Sequence, residues 1–253
     1  MNLFNRILLI TVITFGSIYS AQYLKVEYEN IELQDPPTSF GVSKEFQEKL
    51  KAERKKPQKF FLYYANGDSF YKSIPKESFT HNAGDARKDE NTVLHKREVF
   101  KDKEIKIFKP KGQNAVYGYY SYPDIKEEFY GSTEAKFSQV EYKDETIIID
   151  KYVCKLVEVS FPNNPSDKTK VWYTEDIPIS AGPNAFNIFP GLVLRVESPQ
   201  YINTAVKISN EAKLSDLEKI NPKLPVYKEE EFYKKMKEIR ERRSKVTKEE
   251  IRL

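Results

Sequence analysis

The sequence predicts a mainly β protein, an antiparallel meander-like sheet or incomplete barrel with one inserted helix and a charged C-terminal helical tail. Aromatic residues make up 13 % of the 253 residues, with 17 Tyr and 16 Phe, and such rings pack well on half-buried pleated surfaces. Short runs of alternating apolar and polar residues recur along the chain, which is the period of a strand. A helical spacing replaces this alternation in two places.

Residues 1–21 have the pattern of a signal peptide. Met1 to Arg6 is short and basic, Ile7 to Ile18 is apolar but too short to span a bilayer, and the small residues Ser20 and Ala21 follow. An uncleaved anchor is the alternative. No Cys stands near the cleavage site to take a lipid, so we expect export to the periplasm or the cell surface, and not as a lipoprotein.

Residues 22–210 contain the predicted strands. The first begins at Tyr23, and a shift of its apolar phase predicts a bulge near Glu29 and Asn30. A helix is predicted from Ser43 to Lys56, with Ser43 as N-cap. Asn66-Gly67, after the run Phe60 to Tyr64, predicts a hairpin turn.

The polar segment from His81 to Asn91 predicts an exposed loop or a mobile segment. Alternation then resumes, with mixed apolar faces in the later runs that indicate burial on both sides. The further predicted strands are Thr92 to Phe100, Glu104 to Phe108, Ala115 to Tyr120, Lys136 to Tyr142, Thr146 to Ile149, Tyr152 to Phe161, Lys170 to Thr174, Leu192 to Val196 and Tyr201 to Ile208.

Residues 211–253 form the predicted tail. Its second half is mostly charged, with Phe232, Met236 and Ile239 at helical spacing. Such a helix is marginal alone in water, so it either docks on the body through that stripe or frays. A solvated helix is favoured over a docking arm for another envelope protein, because mixed charges usually indicate a solvated face.

The composition argues against several function classes. The net charge of +4 is a small difference between 42 basic and 38 acidic residues, which does not favour nucleic acid. A single Cys154 cannot form an internal disulfide, and His81 and His95 lie in unrelated contexts. We therefore expect no metal site, no cofactor and no enzyme activity, with a cysteine-dependent hydrolase as the remote alternative.

The stretch from Val171 to Val196 combines the only Trp with three prolines and two glycines between apolar runs. One interpretation is a structural corner whose rings plug the end of the sheet, and this is favoured because aromatic residues usually pack in cores. The other is a rigid recognition loop, in which Asp176 braces the backbone. The candidate binding residues are Trp172, Tyr173, Asp176, Pro178, Gly182, Pro183, Phe186, Phe189, Pro190 and Gly191.

This stretch resembles the GLPGLI family of exported Bacteroidetes proteins. The blocks that carry the resemblance are Trp172 to Ile179, Gly182-Pro183 with Phe186, and Pro190 to Val193, together with Asp144 to Ile147 and Tyr152 to Lys155 upstream. Ile188 and Phe189 replace the opening Gly-Leu of the family's motif, and Val193 replaces its Ile. The resemblance implies an exported β-rich protein of unestablished role that accompanies outer-membrane receptors.

From the residues and the resemblance together, we expect a non-catalytic accessory or binding module of the cell envelope. Its partner would be an outer-membrane receptor or another envelope protein, or an apolar or peptide ligand. The alternative is a periplasmic carrier or chaperone whose half-barrel shelters a lipid or an unfolded outer-membrane protein.

Overall fold

A computed structural model describes residues 23–35, 43–89 and 92–250; the predicted signal peptide lies outside them. These residues form fourteen strands and two α-helices, so the prediction of a mainly β fold with an inserted and a C-terminal helix is confirmed. The helices are α1 (Lys44–Lys55) and α2 (Glu229–Glu250). The strands are β1 (Leu24–Glu32), β2 (Gln58–Ala65), β3 (Asp68–Ser73), β4 (Phe79–Asp89), β5 (Thr92–Phe100), β6 (Lys106–Lys109), β7 (Val116–Tyr122), β8 (Glu127–Thr133), β9 (Gln139–Ile149), β10 (Tyr152–Phe161), β11 (Asn164–Thr174), β12 (Leu192–Glu197), β13 (Tyr201–Ser209) and β14 (Val226–Lys228).

Twelve strands form one open sheet in the order β14-β8-β7-β6-β3-β2-β1-β13-β12-β11-β10-β9. Every pairing is antiparallel except that of β14 with β8. The first strand is central, because β2, β3, β6, β7 and β8 extend the sheet on one side of β1 and β9 to β13 return to its other side. The fold is therefore two meanders that share β1.

The sheet has to curl strongly. Ten inter-strand spacings of about 4.8 Å would separate β8 from β9 by about 48 Å in a flat sheet. Only residues 134–138 join these two strands, and an extended segment of that length reaches about 20 Å. The two ends of the sheet consequently approach each other, which gives the incomplete barrel.

Local sequence signals place several elements. Ser43 caps α1, since its Oγ accepts a hydrogen bond from the Phe46 N–H at 3.3 Å. Asn66 and Gly67 form the predicted turn with positive φ of 55° and 102°. The predicted bulge of β1 near Glu29 and Asn30 is wrong, because β1 pairs with β2 in regular register from Leu24 to Asn30. The register shift between β1 and β13 lies at Glu27 and Tyr28, and the extra residue there is Val206 of β13.

The predicted loop from His81 to Asn91 is wrong from His81 to Asp89, where β4 continues, and its last two residues lie outside the described residues. This strand pairs with β5 in a separate two-stranded sheet. Backbone hydrogen bonds between two strands do not require apolar alternation, so composition gave no signal for them. Phe79 and Phe100 stack at the base of this hairpin at 5.1 Å, and Phe46 of α1 packs on Phe79 at 5.5 Å.

The residues of β10, β11 and β12 alternate between two apolar clusters, which the apolar residues on both faces of β10 and β12 had predicted for those two strands. One cluster contains Leu156, Trp172 and Leu194 and extends to β1, β2 and β3. The other contains Val157 and Val171. Both faces of these three strands are therefore covered.

The C-terminal tail packs on both faces of the sheet at its β6 to β8 end. Leu217, Ile220 and Leu224 cover one face of β6 to β8, and β14 then pairs along β8. The helix α2 covers the opposite face through Phe232 and Ile239. The docked form of the predicted tail helix is the one observed.

Candidate functional site

The central loop, defined as residues 175–191, joins β11 to β12. Its inward side chains are Ile177, Ile179, Ala181, Phe186 and Phe189, all at most 8 % exposed. Its outward residues are Glu175, Asp176, Pro178, Ser180, Ile188 and Pro190. The loop is thus packed on its inner side and presents a short polar and apolar surface to solvent.

Successive short-range hydrogen bonds produce this alternation. The Ile179 N–H donates to Ile177 O at 2.8 Å, and the Ala181 N–H donates to Ile179 O at 2.9 Å. Such i to i+2 bonds are those of inverse γ-turns. The Leu192 and Val193 N–H groups return to Ile177 O and Ala181 O at 3.1 and 2.9 Å, which fastens the start of β12 to the loop.

The two ends of the loop pack in different clusters. Ile177, Ile179 and Ala181 join the cluster that contains Trp172. Phe186 and Phe189 join the opposite cluster, where Phe189 stacks on Tyr173 at 6.1 Å between ring centroids. Because the loop reaches both clusters, it closes this end of the sheet.

A lysine from the other meander holds the loop from a third side. Lys109 at the end of β6 donates from Nζ to Ser180 O at 2.9 Å and to Asn187 O at 2.7 Å. Burial lowers the pKa of the Lys109 ammonium. This contact could not be predicted from the sequence, because it joins positions about 70 residues apart.

Gly182 and Gly191 have to be glycine because backbone oxygens occupy the space that a Cβ would need. A Cβ on Gly191 would lie 2.0 Å from Thr174 O, and one on Gly182 would lie 2.2 Å from Phe186 O. Neither glycine has a positive φ. From the sequence, both positions were expected to be glycine because of unusual turn torsions. In the structure they are glycine because there is no room for a Cβ.

The rings predicted as binding anchors lie in the core. Trp172, Tyr173, Phe186 and Phe189 are at most 5 % exposed, and Gly182, Pro183 and Gly191 are also buried. Of the ten predicted residues, Asp176, Pro178 and Pro190 are exposed.

Several polar side chains around the loop are paired with one another. The Trp172 Nε1–H donates to Glu197 Oε1 at 3.1 Å, and Arg195 Nε donates to the same oxygen at 2.7 Å. Lys155 pairs with Glu175 at 2.7 Å. The Asp176 N–H donates to Thr174 Oγ1 at 3.3 Å, so its backbone and not its carboxylate forms this turn contact.

Cys154 is fully buried on β10, where its Sγ lies 3.7 Å from Tyr152 O. Burial raises the pKa of this thiol to about 11. His81 lies on β4, with its Nε2 3.3 Å from Glu45 Oε2 on α1. The side chain of His95 lies outside the described residues.

Two further findings concern the described residues alone. No group of three or more His, Cys, Asp or Glu among them could hold a metal ion. Neither described helix has both the length and the apolar character to cross a membrane.

A shallow cleft of about 360 Å³ lies where β7 and β8 meet the start of α2. Glu229 lines it with a positive φ of 45°, and its carboxylate pairs with Lys136 at 2.8 Å. The sequence did not identify this cleft. Its other lining residues are Gln113, Asn114, Ala115, Tyr117, Ser132, Thr133, Glu134 and Lys228.

Residues 134–195 match a family model described as a protein of unknown function, Porph_ging. This match carries a different name from GLPGLI. The matched segment contains β9, β10, β11, the central loop and most of β12. No curated protein matches the chain.

Solved structures of PNGF-II resemble this chain in fold. The structure in space group P21 has a TM-score of 0.52 at 17 % identity, over 85 % of this chain and 33 % of that one. The structure in space group C2 has a TM-score of 0.48 at 14 % identity, over 85 % of this chain and 32 % of that one. This chain spans about one third of the length of the PNGF-II chains it resembles.

Proposed function

We propose that this protein is an exported, non-catalytic accessory module of the cell envelope, of the GLPGLI type, which binds an envelope protein through the outer side of the central loop. The pattern of residues 1–21 supports export to the periplasm or the cell surface. An outer-membrane receptor, or a peptide segment of another envelope protein, is the proposed partner.

The rigidity of the central loop is the observation that carries this proposal. Two apolar clusters, two glycine contacts and the Lys109 ammonium fix it from different sides. A loop ordered before binding loses little conformational entropy when a partner arrives. Its outer side offers Pro178, Ile188 and Pro190, of which Ile188 is 42 % exposed.

The position of Cys154 argues against the hydrolase alternative. A pKa of about 11 leaves only about one thiolate in 10⁴ at neutral pH. Burial also keeps the sulfur away from a substrate. Nucleophilic catalysis by this group is therefore disfavoured.

The carrier alternative requires an internal volume for an apolar ligand. Five large side chains of the cluster that contains Trp172 are at most 2 % exposed, namely Tyr28, Leu62, Tyr71, Leu156 and Leu192. This region of the curled sheet is filled by its own residues.

Site-specific photo-crosslinking in the native host tests the proposal. A photoreactive residue at position 188 should give a discrete adduct with one envelope protein. The same residue at position 99 should not, since Val99 is 61 % exposed on β5, in the separate two-stranded sheet. Ile188→Lys should abolish capture of the identified partner, and Val99→Lys should leave it unchanged.

The proposal fails if position 188 gives no adduct beyond that of position 99, or if Ile188→Lys retains the partner. Co-purified lipid in native mass spectra would instead favour the carrier alternative.

A further inference from the structure

The strand β9 is a free edge of the sheet. It has eleven residues and pairs only with β10 among the described strands. Val140, Tyr142 and Ile148 of β9 are 43 %, 62 % and 73 % exposed, and Val153 of β10 is 52 % exposed. A long edge with unpaired backbone groups and exposed apolar side chains favours association with another strand.

These four side chains share one face. Alternate residues of β10 point to the same face, so its odd-numbered residues Val153, Val157 and Val159 share one face. Their direct partners on β9 are Ile148, Tyr142 and Val140. Directly opposed residues of an antiparallel pair point to the same side. The exposed residues therefore form one apolar strip along the edge.

A bulge divides β9 into two regular halves. Lys155 and Val157 of β10 face Thr146 and Tyr142, so three residues from Lys143 to Glu145 stand opposite one. Because the two extra residues are an even number, both halves keep their apolar side chains on the same face. The regular halves are residues 139–142 and 146–149.

We infer that a second copy of this chain pairs antiparallel with β9, about a two-fold axis through Asp144. Each half of one β9 then pairs with the other half of its partner, and the two bulges face each other. Val140 lies opposite Ile148 and Tyr142 opposite Thr146, on the strip face of both copies. The two apolar strips become continuous.

Charge complementarity selects this register. With the axis at Asp144, Lys143 of each copy faces Glu145 of the other. An axis at Lys143 or at Glu145 would lose both of these opposite-charge pairs and would still place two like charges on the axis. The register centred on Asp144 also places two exposed Asp144 carboxylates on the axis, but it alone gains the two Lys143–Glu145 pairs. The bulge and its charges therefore restrict the edge to a partner that matches them.

This dimer goes beyond the proposed function and does not depend on it. If both hold, one particle carries two central loops, and binding to an array of partners gains avidity.

Disulfide trapping tests the register. In a Val140→Cys and Ile148→Cys double variant, the two positions lie about 26 Å apart along one strand and cannot form an internal bond. Across the proposed interface they are directly opposed, at Cα separations of about 4.5 to 5.5 Å that suit a disulfide. Oxidation should give a covalent dimer of the double variant and none of either single variant. Failure of the double variant to crosslink, or equal crosslinking of the single variants, overturns the register.

Sedimentation equilibrium tests the dimer itself. Ile148→Lys should raise the dissociation constant at least about tenfold, because symmetry applies the change twice. Val206→Lys is the matched control and should leave it unchanged, and Asp144→Asn should tighten the dimer. A parent protein that stays monomeric up to roughly 100 µM, well above the range of specific dimers, refutes the inference.

Discussion

Replacement of Gly191 by Ala should destabilise the protein through one contact. The added Cβ would lie 2.0 Å from Thr174 O and 2.7 Å from Thr174 C. Ordinary C···O contacts begin at about 3.3 Å, so the backbone of the loop and of β11 would have to separate by about 1.3 Å. Thr174 is fully buried and paired with Leu192, which leaves it no free space into which to move.

The magnitude follows from overpacking. Forcing an extra methyl group into a packed site costs about 3 kcal/mol, because the surrounding backbone shifts. Ala also restricts the unfolded chain, which returns about 0.7 kcal/mol. The net loss of about 2 kcal/mol in the free energy of unfolding should lower Tm by about 4 to 8 °C for a chain of this size.

Differential scanning calorimetry and urea unfolding measure both quantities, and Gly112→Ala is the control. Gly112 has a positive φ of 72° and nothing within 4 Å of the added Cβ, so that variant bears only a torsional cost of about 1 kcal/mol. The reasoning is refuted if Gly191→Ala unfolds at the parent temperature, or if Gly112→Ala proves the more damaging.

Two further predictions concern the tail and the thiol. Phe232→Ala should remove the ring that packs on Gly131 and lower the free energy of unfolding by about 3 kcal/mol, so that α2 becomes sensitive to limited proteolysis. Tyr233→Ala is the control and should change little, because that side chain is 65 % exposed. Equal protease resistance of both variants would contradict the docking of α2. Because the pKa of Cys154 is raised to about 11 in the folded state, its contribution is complete below the unfolded pKa near 9 and is lost as pH rises from 9 to 11. Unfolding free energies measured across that range should therefore fall less steeply in Cys154→Ala than in the parent, and iodoacetamide should label the parent at pH 8 only in denaturant; labelling of the native protein would show the thiol accessible.

Elements with a local cause could be predicted from the sequence. The Ser43 hydroxyl caps the backbone three residues on, and Asn66-Gly67 adopts torsions that other residues resist. The stripe of Phe232, Met236 and Ile239 identified the docking face of α2. In each case the residues that interact are close in sequence or define one face of one element.

Features with distant causes could not be predicted. Nothing in the alternation of β1 indicates that β13 pairs beside it, because alternation specifies faces and not neighbours. For the same reason the edge position of β9 was not apparent, although its apolar residues were visible. For the central loop, the corner interpretation correctly predicted that its rings are packed. It did not predict the contact with Lys109, because that residue lies on β6 in the other meander.

The segment of residues 134–195 that matches the family model also corresponds to a unit of packing. Gly191 needs Thr174, and Gly182 needs Phe186 and Val193, so both partners of each close contact lie inside that segment. When both residues of a close contact lie near each other in the sequence, the contact restricts which residue types can occur in that short segment. The hydrogen bonds of Lys109 and of Tyr28, whose hydroxyl donates to Val193 O at 2.7 Å, reach the loop region from outside the segment and are accepted by backbone carbonyls. Because a carbonyl is present whatever the side chain, such contacts leave the loop sequence unconstrained, and the corner should retain its local pattern while the supporting meander varies.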